Sequence, residues 1–203
     1  LVLFVLCLVI GLFAVRGYGI NVDENTEIDI ARMDMKEYVR LFFGEDSGLF
    51  RYMDHLIGDL MDSVEIDHGE AVLYPIVAVV SVLRAMGRAD LGMLSYHMYL
   101  YVWFLLGLLA AYQVGKFLTG KKAYGAMAAA LIGLNPLLFG TAFINNKDMM
   151  LLSLTSICIY FETWEVFSLL NTLPCFPRPE HNLLSELFQN LTGQWSLSFR
   201  TYQ

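Results

Sequence analysis

SYHMYLYVWFLLGLLAAYQV (residues 95–114) and AYGAMAAALIGLNPLLFGTAFI (residues 123–144) are two apolar runs joined by a short link holding Lys116, Lys121 and Lys122. A helix needs about 20 apolar residues to cross a hydrocarbon core roughly 30 Å thick, and both runs reach that length. Links rich in lysine stay on the cytoplasmic side. The first run is therefore expected to enter from outside and the second to return, which puts Asp148 at the external surface.

Further apolar runs lie at residues 1–15, 71–87 and 149–161. Hydrophobic residues make up 57% of the chain and charged residues 16%, a more apolar balance than that of an ordinary soluble domain. Residues 1–15 read as the C-terminal part of a first transmembrane helix that begins upstream. Val15-Arg16-Gly17-Tyr18 is a poor cleavage site for a signal peptide, and more spans follow. Residues 71–87 are short for a span, carry Pro75 near their start and end in Arg84 and Arg88. They are expected to lie along the interface or dip into it, with a plain spanning helix as the alternative.

The polar stretch 16–70 holds 14 of the 20 acidic residues and five basic ones, so the net charge of -7 belongs mostly to one loop. That acidity argues against nucleic acid as a partner. Within the loop, Ile28, Ala31, Met35, Tyr38, Val39 and Phe42 recur at helical spacing, which predicts a helix to about Phe43 capped by Asn25 or Thr26. Arg32, Lys36, Glu37 and Arg40 fall on its other faces. A second amphipathic helix is predicted over 49–62. Two such helices tethered to a span read as an interfacial layer, against the alternative of an ordinary helical hairpin. The fold class is thus all-α, a multi-span transmembrane protein with an external loop of juxtamembrane amphipathic helices.

Residues 162–203 differ in character. Glu162 and Glu165 interrupt the last run, and Pro174, Pro177 and Pro179 follow without periodicity, so weak order is expected. Asn190-Leu191-Thr192 matches a glycosylation acceptor, a short pattern common by chance. Cys7, Cys158 and Cys175 are too scattered to imply a disulfide framework or a zinc site.

Two polar clusters at the ends of apolar runs are the candidate chemistry. Asp23-Glu24 follows the first run. A carboxylate at a membrane boundary can accept a proton from a hydroxyl nucleophile, and its neighbour can orient it; simple capping of the next helix is the competing account. Asn145-Asn146-Lys147-Asp148 sits between two apolar runs. Since charge inside a bilayer is costly, it marks a helix boundary or a polar pocket. There Lys147 faces a phosphate and Asp148 a sugar or basic group, or the two neutralise each other in a turn. His68-Gly69-Glu70 lacks further ligands for a metal and reads as a helix entry. His97, among Tyr96, Tyr99 and Tyr101, reads as part of an aromatic interface belt.

Taken in order, these residues resemble the GT-C membrane glycosyltransferases, above all the dolichyl-phosphate-mannose–protein mannosyltransferase type and its bacterial relatives. The matching pieces are Asp23-Glu24, the helices near 26–43 and 49–62, His68-Gly69-Glu70 with the apolar 71–87, and Gly115-Lys116 to Lys121-Lys122-Ala123-Tyr124-Gly125. They end with Leu134-Asn135-Pro136-Leu137-Leu138-Phe139-Gly140 and Phe143-Ile144-Asn145-Asn146-Lys147-Asp148. The resemblance covers residues 1–161, an N-terminal part of such an enzyme. It departs at Ser95-Tyr96-His97-Met98, where the family commonly has an arginine, and the family's later spans and loops do not follow.

The resemblance implies a complete protein that transfers a sugar from a polyprenyl-phosphate donor to an external hydroxyl acceptor, in a multi-pass protein of the bacterial plasma membrane. It implies Asp23 as general base, Glu24 assisting, Asp148 completing the pocket and Lys147 at the donor phosphate, with no metal and no cofactor. This chain alone is expected to be inactive. The alternative is a non-enzymatic multi-span membrane protein, a transporter or an assembly subunit, in which Asp148 and Lys147 gate or pair between helices.

Overall fold

The α2 segment, Glu24–Phe43, organises the first half of the computed structural model, which describes residues 2–21, 23–62 and 71–172. Before it come α1 (Val2–Ala14) and a 3-10 turn, Val15–Gly17. After it come α3 (Gly48–Leu56), α4 (Tyr74–Ala85), α5 (Ala89–Thr119), α6 (Lys122–Gly133), α7 (Pro136–Thr141) and α8 (Asn146–Thr172). Every regular element among the described residues is helical, as the all-α reading expects. His68-Gly69-Glu70, Cys175 and Asn190-Leu191-Thr192 lie outside the described residues. The described residues divide into two compact units, one within 11–100 and the other within 1–10 and 101–172.

In the 11–100 unit, α2 packs on α3 and α4. Its buried face carries Ile28, Ile30 and Ala31 against Leu73, Ile76, Val77 and Val80. The predicted face is right for the first half of α2 and fails for the second. Lys36, expected on an outer face, is buried and pairs with Asp54 of α3 at 3.1 Å. Phe42, expected inside, is 74% exposed beside Leu41 and Phe43. The α3 helix buries none of its residues, and Leu49, Tyr52 and Leu56 are open. The predicted second helix is also shorter, ending at Leu56 before a separate 3-10 turn, Leu60–Asp62. The α4 helix starts with Pro75 in its first turn, where proline's missing N–H costs nothing. At about 1.5 Å per residue its 12 residues reach about 18 Å, short of a bilayer. Arg32 Nε donates to Ser81 Oγ (2.9 Å) and Tyr74 Oη to Asp34 Oδ2 (3.2 Å), which fixes α2 along α4.

Burial and the neighbouring Asp34 carboxylate push the Tyr74 phenol well above its usual range. A raised folded-state value favours the protonated phenol. Its contribution to stability is therefore complete below about pH 10 and lost as pH rises further. Tyr74→Phe is expected to shrink the alkaline loss of stability, and unfolding melts of both proteins between neutral pH and pH 11 check this. Identical alkaline limbs would refute it.

The second unit is held by close approach of small residues. A Cβ built on Gly107 would lie 2.9 Å from Ser153 Cα, so α5 and α8 touch at backbone distance. One built on Gly125 would lie 2.5 Å from the Tyr112 carbonyl oxygen and 3.0 Å from Lys116 Cβ. Tyr101 stacks on Phe143 with ring centroids 4.3 Å apart, Phe139 meets both edge-on, and Tyr101 Oη donates to the Cys7 carbonyl at 2.6 Å. Because the Tyr112 oxygen belongs to a helix backbone and cannot swing away, Gly125→Ala is expected to cost about 1–3 kcal/mol. Gly48→Ala, with nothing within 4 Å, is the control. A thermal midpoint that does not fall in Gly125→Ala would refute the close crossing.

Residues 123–144 do not form the single span expected. The α6 helix stops at Gly133, and Asn135, in extended backbone, caps α7 by accepting from Leu137 N (3.0 Å) and Leu138 N (3.3 Å). Pro136 is the cause: its ring cannot follow a helix without clashing, and it keeps the residue before it out of the helical region. The topology count that put Asp148 outside assumed an unbroken crossing here. By contrast α8 runs through Glu162 and Glu165, both exposed, as far as Thr172. Among the described residues, two helices are long and apolar enough to cross a bilayer: Ala89–Thr119 and Asn146–Leu169.

Candidate functional site

The first turn of α2 carries a buried polar group. Glu24 opens the helix and is buried, with its side chain 1% exposed. Its Oε2 accepts from the Asn21 backbone N–H at 2.9 Å, and its Oε1 lies 3.0 Å from His97 Nε2. His97 is equally buried, with its side chain 3% exposed. With the proton on Nε2, the imidazole donates to the carboxylate. A carboxylate removed from water needs such partners on both oxygens.

Asp23 sits one residue earlier and behaves differently. It occupies the N-cap position with helical backbone angles, and its side chain makes no cap bond. Its carbonyl accepts from Glu27 N at 3.0 Å, while its carboxylate is exposed. The helix therefore starts ahead of the predicted caps. Asn25 instead accepts from Arg84 Nη2 at 2.9 Å, and the same nitrogen lies 3.5 Å from Met93 Sδ. The pair Asp23-Glu24 thus splits into an open carboxylate and a buried one that holds its neighbour in place.

His97 was misplaced by reasoning from sequence. It is buried against α2 rather than lying in an aromatic belt at an interface. No local signal marks it, because its partner lies 73 positions away.

Beside the pair opens a cavity of about 570 Å³. His97, Arg84, Asp90, Val15, Arg16 and Ile20 are among the residues that line it. Burial, then the nearby Arg32 cation, lowers the pKa of Arg84, with Asp29 opposing.

In the other unit, Asn145 caps α8. Its Oδ1 accepts from Asp148 N (2.8 Å) and its Nδ2 donates to Asp148 Oδ2 (2.9 Å). Asp148 and Lys147 are both exposed in the first turn, where the helix N-terminus favours a carboxylate. The expected polar cluster is therefore a helix boundary. Among the described residues no group of three His, Cys, Asp or Glu is placed to hold a metal ion. Compared with known protein families, curated proteins and solved structures, the chain gives no match.

Proposed function

We propose that this chain is part of a multi-pass membrane protein of the bacterial plasma membrane type that transfers a sugar from a polyprenyl-phosphate carrier to a hydroxyl acceptor. One observation carries the reading: an exposed Asp23 carboxylate stands next to a buried Glu24–His97 pair, just past an apolar helix. Asp23 accepts the proton of the attacking hydroxyl, and Glu24 anchors the turn that presents it. A short α4 and an α3 with open apolar side chains suit a layer at the membrane interface. The long apolar α5 and α8 suit crossing helices.

A second reading draws on the break between α6 and α7 and on the polar start of α8. Interrupted helices with charged residues at their ends line ion and solute paths in transporters. One experiment separates the two. Membranes containing the complete protein are given a labelled polyprenyl-phosphate sugar and, separately, a labelled solute. The enzyme reading expects label transfer that Asp23→Asn removes. The transporter reading expects uptake that Asp148→Asn impairs and Asp23→Asn leaves unchanged. Transfer that survives Asp23→Asn refutes the assignment of the base.

A further inference from the structure

The cavity beside His97 is not needed for proton transfer at Asp23, and its lining has a chemistry of its own. Most of its wall is apolar, including Val15, Ile20, Leu91 and Leu94. Two arginines, Arg16 and Arg84, line the same space. Among the described residues neither lies within ion-pair distance of a carboxylate, whereas Arg32, Lys36, Arg40 and Arg51 all do. Arg84 is held in place by Asn25 and Met93, so its head is fixed rather than free to wander. It is partly buried, with the Arg32–Asp29 pair nearby, and a guanidinium withdrawn from water favours an anionic contact.

Asp90 also lines the cavity. Leaving aside His97, which is engaged by Glu24, two arginines and one aspartate give a formal charge of +1. That balance suits a single negative charge. The volume lies within the range of small-ligand sites, enough for a headgroup and the first part of a chain. The apolar wall adds nothing for a free inorganic anion, which would stay hydrated. The neighbouring surface is apolar as well: Phe13 is 76% exposed and Ile20 58% exposed.

We propose that this cavity holds the phosphate of one anionic membrane lipid, with Arg16 and Arg84 as its cationic contacts and the start of the lipid chain against Val15, Ile20 and Leu94. The proposal rests on the membrane placement given under Proposed function and is independent of sugar transfer.

The test is native mass spectrometry of the full chain, delipidated in detergent and titrated with phosphatidylglycerol or with phosphatidylcholine. The wild type is expected to retain one phosphatidylglycerol with clear preference over phosphatidylcholine. Arg16→Gln is expected to weaken retention about tenfold, the loss of one charged contact, and Arg16→Gln with Arg84→Gln further. Arg16 is exposed and, among the described residues, its side chain makes no hydrogen bond or ion pair, so its variant is expected to stay folded even if Arg84→Gln, which frees Asn25, does not. Arg51→Gln, a surface change, should leave retention unaltered. Equal retention of both lipids, retention unchanged in Arg16→Gln, or displacement by millimolar inorganic phosphate would overturn the proposal. The detergent titration reads the cavity even if transfer assays in membranes show no enzyme, so the two failures are separable.

Discussion

His97→Leu is expected to lower the stability of the protein by about 3–5 kcal/mol, the usual consequence of leaving a buried charge without its partner. Leucine leaves the Glu24 carboxylate at 1% exposure, with the Asn21 N–H on Oε2 at 2.9 Å and nothing on Oε1 from position 97. Water cannot readily replace the imidazole at that depth, so the cost is desolvation without compensation. The double variant Glu24→Gln/His97→Leu is expected to recover a large part of the loss, since a neutral amide can still accept from Asn21 and carries no charge. Thermal or denaturant unfolding of the wild type, both single variants and the double variant measures the coupling. Losses that simply add would show that the two side chains do not act together.

On the function proposed above, with Asp23 as general base, Asp23→Asn is expected to lower sugar transfer by about 10²–10⁴-fold, the range that a positioned general base contributes. Stability should barely change, because the Asp23 side chain is exposed and makes no cap bond. The contrast with Glu24 is the useful part. Glu24→Gln should reduce transfer and loosen the fold together, whereas Asp23→Asn should reduce turnover alone. Single-turnover rates and melting midpoints, measured on the same preparations, separate the two. Turnover within a few-fold of wild type in Asp23→Asn, in a folded and inserted protein, would remove Asp23 from the reaction.

The two predictions concern adjacent residues whose roles diverge for a reason that sequence does not carry. Asp23 and Glu24 are both carboxylates after an apolar run, and either might cap a helix by type alone. What separates them is which one turns toward α5. That depends on the angle at which α2 starts and on a histidine far along the chain. Lys36 makes the same point. Helical spacing put it on a polar face, yet it is buried because Asp54 of α3 meets it there. Long-range ion pairs override a face assignment made from spacing alone.

Other features were legible. Pro75 and the arginines after it marked a short helix, and α4 is short. Asn135-Pro136 also carried a visible break signal, since proline bars helix continuation and asparagine caps the next one. Mean hydropathy over 123–144 obscured it, because hydropathy registers composition and is blind to backbone geometry. The start of α8 was legible as a boundary, as Asn145 and Asp148 stand at capping distance from each other in sequence.

The amino-acid sequence by itself determined that this protein is helical, where its long apolar runs lie and that its acidity is concentrated in one loop, because composition and periodicity act over a few neighbouring residues. Tertiary structure alone decided that His97 meets Glu24, that Lys36 goes inside and that Arg16 and Arg84 line one cavity. Those contacts join side chains from distant positions, and their geometry exists only once the helices have packed.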